Sequence, residues 1–119
     1  MMSSFEKIEL QIDDGIATLT MNRPKKRNAF DVLMLREMLE ATEEIDRNDS
    51  IRVAILTGAG RSFSAGADLT APLDPGRTVA DNLEEDYRPV LMSITHSPKP
   101  WISAVNGAAA GVGSAFAMN

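Results

Sequence analysis

Cysteine is absent from this chain of 119 residues, and its absence removes several classes of site at once. A disulfide framework, a thiolate nucleophile and a metal site built on cysteine are all excluded. Long apolar runs are also missing: no segment has the length needed to cross a bilayer, and the first residues, MMSSFEKIELQ, lack the apolar core of a signal peptide. We therefore expect a cytoplasmic protein with no membrane association.

Excess positive charge is lacking too. The chain has 12 basic and 17 acidic residues, a net charge of −5, so a nucleic-acid partner is not expected. The composition, 44% hydrophobic and 24% charged, is typical of a globular protein. The length is sufficient for one domain with its own core, and short for two.

Two apolar segments each run into a loop rich in glycine. Residues 51–56, IRVAIL, contain an uninterrupted run of small or branched side chains, which predicts a strand covered on both faces in a parallel or mixed sheet. The segment 100–106, PWISAVN, predicts a second buried strand, and a helix is predicted to start after Gly111. Because glycine permits close backbone approach, the two loops can direct two backbone N–H groups at one point.

The other segments predict a hairpin, two helices and a surface loop. Residues 8–22 alternate apolar and polar side chains around Asp-Asp-Gly, which is a hairpin signal. Asp31 is placed to cap a helix, and a second amphipathic helix with a kink at Pro89 is predicted further on. Residues 69–78 contain two prolines and a glycine and predict a surface loop over the site. The apolar faces of the two helices are predicted to be Met34, Leu35, Met38, Leu39, Ala41 and Ile45, and Leu83, Tyr87, Leu91 and Ile94.

In motif and in order, the chain resembles the crotonase, or enoyl-CoA hydratase/isomerase, superfamily from about residue 8 to the last residue. Three ordered segments carry the resemblance: MNRPKKRNAF at 21–30, IRVAILTGAGRSFSAGAD at 51–68, and PWISAVNGAAAGVGSAFAM at 100–118. The resemblance implies an α/β fold of repeated ββα units, the N-terminal half of a ClpP/crotonase-type spiral. It also implies that residues 1–119 are the N-terminal part of an acyl-CoA-binding domain, apparently truncated, whose parent assembles as a homotrimer or hexamer.

The same resemblance assigns site residues. It places the two backbone N–H donors of an oxyanion hole on Ala67 and Val112, where they would stabilise the enolate that forms when an acyl-CoA thioester loses its α-proton. The residues it assigns to coenzyme A binding are Lys25, Lys26, Arg61, Ala65, Asp68 and Gly111. No metal is implied, and coenzyme A enters only as part of the thioester substrate. Asp68 has an alternative role in organising its own loop.

A basic cluster in an otherwise acidic chain supports the coenzyme A assignment. Arg23, Lys25, Lys26 and Arg27 follow one another closely and are suited to phosphate groups. The alternative is that this segment is only a solvated basic loop.

One position departs from the family pattern. Hydratases of the family carry a catalytic glutamate three residues after the second donor, and Ala115 occupies that position here. Hydration needs two acid/base carboxylates, so the departure favours isomerisation of an enoyl-CoA by the parent protein. The acidic run at 84–86 is predicted to be a solvated helix face. The alternative function is a non-catalytic, truncated fragment that binds coenzyme A, and the isolated chain is expected to be inactive.

Other enzyme classes fit the sequence less well. A serine hydrolase would use Ser62 or Ser64 with the single His96, but the nucleophile elbow needs glycine at position 62. Neither glycine segment completes a dinucleotide-binding or P-loop motif.

Overall fold

A computed structural model describes residues 5–70 and 75–118, and it begins with the predicted hairpin. Strand β1 (Ile8–Asp13) pairs antiparallel with β2 (Ile16–Met21). Asp14 and Gly15 form the turn with positive φ angles of 49° and 77°, a conformation that suits glycine and is tolerated by aspartate. The hairpin prediction is therefore confirmed.

The main sheet has four strands in the order β1-β2-β3-β5, where β3 is Val53–Gly58 and β5 is Trp101–Ala104. β3 is parallel to both β2 and β5. The structure corrects two expectations, that β3 is covered on both faces and that β5 is buried. Ala54 and Leu56 on one face of β3 are buried, whereas its other face is half-buried. On β5 the Ser103 hydroxyl donates to Phe116 O, and Ile102 on the opposite face is 54% exposed.

Helix α1 (Val32–Arg47) packs against this sheet and starts as predicted. The Asp31 side chain accepts a hydrogen bond from the Met34 N–H at 2.8 Å, which satisfies a donor at the helix start. The predicted inner face is buried, except that Leu39 is half-buried.

The second predicted helix is divided into three parts: α2 (Val79–Asn82), a π-helical turn (Leu83–Tyr87) and α3 (Arg88–Thr95). Pro89 lies in the first turn of α3, where its missing N–H costs little. The helix type changes from π to α at Arg88, one residue before Pro89; the predicted kink at Pro89 itself stays a prediction. Of the predicted loop at 69–78, residues 71–74 lie outside the described residues.

A second, smaller sheet was not predicted from the sequence. Strand β4 (Ser62–Ser64) pairs parallel with β6 (Ala108–Ala109), and helix α4 (Val112–Met118) follows directly. The start of α4 after Gly111 confirms that prediction. Phe30 packs on Phe116 of α4 with ring centroids 4.9 Å apart, which attaches the helix to the core. No helix in the described parts of the chain is long and apolar enough to cross a membrane.

Candidate functional site

The second sheet brings the two glycine loops together. A side-chain carbon at Gly66 would lie 3.6 Å from the Val112 nitrogen and 2.9 Å from the Ala110 carbonyl oxygen. At the start of α4, directly after the second loop, a side-chain carbon at Gly113 would lie 2.5 Å from the Ser64 carbonyl oxygen. These separations leave no room for a Cβ, so glycine at both positions allows the two loops to touch.

The first loop leaves one backbone N–H group available. Three of the four N–H groups at 65–68 are used within the fold, and their acceptors are Arg27 O for Ala65 (2.9 Å), Ser64 Oγ for Gly66 (3.2 Å) and Phe30 O for Asp68 (2.9 Å). The Ala67 N–H has no acceptor among the described residues, and Ala67 is exposed. Folded proteins pair nearly all of their backbone donors, with protein groups or with water. An exposed N–H without a protein acceptor is therefore available to bind water or a ligand.

The second loop also leaves one backbone N–H group available, that of Val112. Val112 is the first residue of α4, and the next two N–H groups are used in the turn: Gly113 donates to Ala110 O at 2.8 Å and Ser114 donates to Gly111 O at 3.1 Å. The Val112 N–H has no acceptor among the described residues, as is usual in the first turn of a helix. The fold therefore places the two predicted donors on adjoining loops. Gly111 is exposed beside them, with φ 54°.

Two buried polar side chains that the sequence analysis missed fix these loops. Asn28 is fully buried with φ 56°; its Nδ2 donates to Ala59 O (2.9 Å) and Ser62 O (2.8 Å). Ser64 is also fully buried, and its hydroxyl donates to Asn28 O at 2.8 Å while accepting from the Gly66 N–H. No local pattern distinguishes such residues from solvated ones, because the carbonyl groups that accept their hydrogen bonds lie more than thirty residues away.

Arg23 is a further residue with a different role from the one predicted. Its guanidinium donates to Ala29 O at 2.6 Å, lies 3.1 Å from the Asp68 carboxylate and lies 3.5 Å from the Asp31 carboxylate. The side chain is only 12% exposed. It is therefore engaged in the fold and unsuited to bind phosphate, contrary to its inclusion in the predicted basic cluster.

Asp68 is held as a carboxylate by its neighbours. The Thr70 hydroxyl donates to it at 2.6 Å, and together with the Thr70 N–H and Arg23 this outweighs burial and lowers the pKa of Asp68 to about 2. The side chain is 7% exposed and organises the loop after Ala67. Its contact with coenzyme A stays a prediction, as does that of Ala65, which is exposed two residues before Ala67.

The remaining predicted coenzyme A residues lie on neighbouring turns. Lys25 and Lys26 are exposed on a short 3₁₀ helix (Pro24–Lys26) and line a cavity of about 430 Å³. Arg61 is exposed on the next loop, where a Cβ at Gly60 would lie 3.2 Å from Pro24. These three basic side chains form no ion pair within the described residues and are free to meet anionic groups.

A second cavity, of about 340 Å³, opens beside Val112. Its lining residues are Glu84, Tyr87, Arg88, Leu91, Met92, Val112 and Ala115. Glu84 is the only carboxylate among them; its side chain is 70% exposed and lies 3.6 Å from the Arg88 guanidinium, as predicted for a solvated helix face. Asp86 of the same acidic run departs from that prediction, because its side chain is only 8% exposed and lies 2.9 Å from the Arg77 guanidinium. The wall at Ala115 carries no acid or base.

The geometry gives no support to a serine hydrolase or to a metal site within the described residues. Ser64 is enclosed and its hydroxyl donates to a backbone carbonyl, so it is not an accessible nucleophile. His96 is exposed at the end of α3. Within residues 5–70 and 75–118, no three potential ligands of the His, Cys, Asp or Glu type are grouped to hold a metal ion.

Comparison with known proteins shows similarity to enzymes of coenzyme A thioesters. The chain is 39% identical over 117 residues to the 1,2-epoxyphenylacetyl-CoA isomerase of Escherichia coli K12, covering 95% of the chain and 45% of that protein. It is 36% identical to human enoyl-CoA delta isomerase 2, over 92% of the chain and 29% of that protein. The chain thus spans less than half the length of these relatives.

The fold is likewise shared with solved structures. An enoyl-CoA hydratase from Mycobacterium avium subsp. paratuberculosis superposes with a TM-score of 0.85 at 28% identity, covering 98% of the chain and 45% of that protein. The architecture is therefore an α/β crotonase-type fold. The family model described as enoyl-CoA hydratase/isomerase matches residues 11–119. The chain belongs to the enoyl-CoA hydratase/isomerase family.

Proposed function

We propose that the protein acts on acyl-CoA thioesters, with the Ala67 and Val112 N–H groups as the two donors that stabilise a thioester enolate. The observation that carries the proposal is the pair of unpaired backbone donors on loops that touch at Gly66. Fixed donors directed at a developing oxyanion stabilise it without reorganisation, and this is a large contribution to catalysis. Membership in the family supplies the thioester class.

Within that class, we favour isomerisation of an enoyl-CoA over hydration. Hydration requires acid/base groups for both a water molecule and an α-proton. Ala115 occupies the cavity wall where the family's hydratases carry glutamate, and the cavity's carboxylate, Glu84, is largely solvated and paired with Arg88. The relatives' names are divided between the two reactions, since one is an enoyl-CoA delta isomerase and another a probable enoyl-CoA hydratase, so the preference rests on Ala115.

The coenzyme A moiety is proposed to lie along the exposed basic side chains. Lys25, Lys26 and Arg61 are close to one another and make no ion pair in the described part of the chain, so their charges are available to phosphate groups. The proposed location is cytoplasmic, with a trimeric or hexameric assembly of the whole protein.

A second candidate is a protein that binds acyl-CoA without turning it over. It is favoured by one observation: the described wall of the 340 Å³ cavity holds no enclosed carboxylate or imidazole that could take the α-proton. Both candidates predict thioester binding, and only the first predicts turnover.

The test uses the protein expressed from its complete coding sequence, with 2-enoyl-CoA and 3-enoyl-CoA thioesters. Val112→Pro removes the N–H at a helix position that accepts proline, so we expect kcat to fall about 10²- to 10³-fold with the fold retained by circular dichroism. Val112→Ala shortens the same side chain and keeps the N–H, and its kcat should stay close to that of the parent. Arg61→Glu should instead raise KM, because it opposes the phosphate charge.

The outcomes separate the candidates. Isomerisation that is lost in Val112→Pro and kept in Val112→Ala supports the enzyme. Thioester binding without conversion of either substrate supports the second candidate. A fully active Val112→Pro protein would remove Val112 from the mechanism.

A further inference from the structure

Tyr87 lines the cavity beside Val112, and its ring is held in place by the hydrophobic core. The residue is 4% exposed, and its ring meets the Phe30 ring edge to face with centroids 5.8 Å apart. Phe30 in turn is bridged through its backbone to Ala67. The tyrosine ring is therefore fixed against the same segment that presents the first proposed donor, while it lines the cavity next to the second.

The Tyr87 hydroxyl has no hydrogen-bond partner in the part of the chain that the structure describes. It is not among the fully enclosed polar atoms that lack a partner, so it reaches free space. Tyrosine hydroxyls in protein interiors nearly always find a partner, because an unpaired polar group taken out of water costs free energy. Because the hydroxyl opens to free space, water can satisfy it in the empty cavity, and an acyl group that displaces this water leaves the hydroxyl unpaired unless it supplies an acceptor of its own.

The electrostatics make this hydroxyl a donor. Burial, followed by the negative charges of Asp86, Asp31 and Asp68, raises the pKa of Tyr87 to about 12. The phenol therefore keeps its proton throughout the physiological range and can donate one hydrogen bond.

The rest of the wall is largely apolar. Leu91, Met92, Val112 and Ala115 contribute no polar side-chain group able to donate, and the charged pair Glu84 and Arg88 lies at the exposed rim. A cavity of about 340 Å³ is in the range that holds a small ligand group. With the thioester carbonyl at Ala67 and Val112, the acyl group would enter this cavity.

We propose that Tyr87 is a specificity-determining residue whose hydroxyl donates a hydrogen bond to an oxygen acceptor on the acyl group, so that the site prefers oxygen-bearing acyl-CoA thioesters to plain hydrocarbon ones. The inference rests on the proposed function, because it needs the thioester to sit at the two backbone donors. Sites that hydrogen-bond a substrate oxygen discriminate against an analogue that lacks it, since the buried donor is then left unpaired.

The experiment measures binding by calorimetry with hexanoyl-CoA and its 3-oxo, 4-oxo and 5-oxo forms, using the protein expressed from its complete coding sequence. The oxo series scans the distance between the thioester and the acceptor. We expect at least one oxo form to bind about 10-fold more tightly than hexanoyl-CoA, the usual size of one well-placed hydrogen bond. Tyr87→Phe should abolish that preference, so that the ratio of oxo-form affinity to hexanoyl-CoA affinity falls to about 1, while the ring and its Phe30 contact remain.

Met92→Leu is the matched control, since it alters the same cavity wall without touching a donor, and the oxo preference should survive it. If hexanoyl-CoA binds and no oxo form is preferred, or if the preference persists in Tyr87→Phe, the assignment of Tyr87 is wrong while the proposed function stands. If no thioester binds at all, the proposed function and this inference fall together.

Discussion

Asp68 joins the first donor loop to the start of α1 through a single arginine. Arg23 lies between the Asp68 carboxylate, at 3.1 Å, and the Asp31 carboxylate, at 3.5 Å, while Asp31 caps α1. Such a pair of anions around one enclosed cation fixes the loop only while both carboxylates are ionised. The ionised Asp68 carboxylate therefore stabilises the loop conformation in which the Ala67 N–H is exposed.

We predict that Asp68→Asn lowers the free energy of unfolding at pH 7 by up to about 2 kcal/mol, since a fall in pKa from 3.8 to about 2 corresponds to that amount. Because the folded pKa is depressed, this stability is fully present above pH 4 and is lost as the pH falls through about 2. Denaturant unfolding between pH 2 and 7 should show a flatter acid limb in the variant.

Asp13→Asn is the control for that measurement, because Asp13 is exposed and forms no ion pair within the described residues. It should leave both the stability at pH 7 and the acid limb unchanged. Equal effects of the two substitutions would show that general charge loss, and not the Arg23 contact, is responsible.

The residues of the site differ in how far the sequence could predict them. Ala67 and Val112 were assigned only through family resemblance, since a backbone donor leaves no side-chain signature; their roles stay predictions. Asn28 and Ser64 could not be found at all, because their polar groups are satisfied by carbonyls that only the folded chain brings near. Arg23 shows the converse: it belongs to a basic cluster in sequence and to an enclosed ion pair in the fold.

At the scale of elements, the contact between β4 and α4 determines how far apart the two donor loops lie. Gly113, in the first turn of α4, faces the Ser64 backbone so closely that an added carbon would lie 2.5 Å from its carbonyl oxygen and 3.1 Å from its carbonyl carbon. Backbone atoms of a paired strand cannot move aside as a flexible side chain can. The helix itself would have to move.

We predict that Gly113→Ala destabilises the protein by about 1–3 kcal/mol, the usual cost of forcing an extra carbon into a packed interior. The sign of the stability change is informative, because alanine at an ordinary helix position stabilises a protein relative to glycine by roughly 1 kcal/mol. Turnover should fall as well, since displaced donors no longer share one oxyanion. Met118→Ala, at an 81% exposed position of the same helix, serves as the control, and a stabilised Gly113→Ala protein would contradict the close contact.

Elements with strong local patterns were predictable, and those that depend on distant partners were not. The hairpin and α1 carry their own turn, cap and periodicity signals, and they form where expected. β4 and β6 have three and two residues, too few for a pattern, and exist because each supplies the other's hydrogen bonds. The sequence of β5 predicts a buried strand, but within the described residues β5 pairs with a single strand, β3, and so lies at the edge of the sheet.

At the scale of the whole molecule, the two outer strands of the main sheet present different edges. β1 carries the charged side chains of Glu9 and Asp13 on either side of the polar Gln11, and charged side chains on an edge strand discourage pairing with another chain. β5, with the sequence WISA, carries no charge, and Ile102 and the following Val105 are 54% and 49% exposed. An uncharged edge with exposed apolar side chains is a template for self-association.

We predict that the 119 residues expressed alone form oligomers whose apparent mass in light scattering rises with protein concentration, despite the net charge of −5. Ile102→Lys places a charge on the uncharged edge and should lower the apparent mass towards that of a monomer. Ile16→Lys is the matched control, because Ile16 is also exposed, at 38%, but lies on the interior strand β2. If both substitutions reduce association equally, general charge repulsion is the cause; a monodisperse parent chain at all concentrations would show that the β5 edge does not pair.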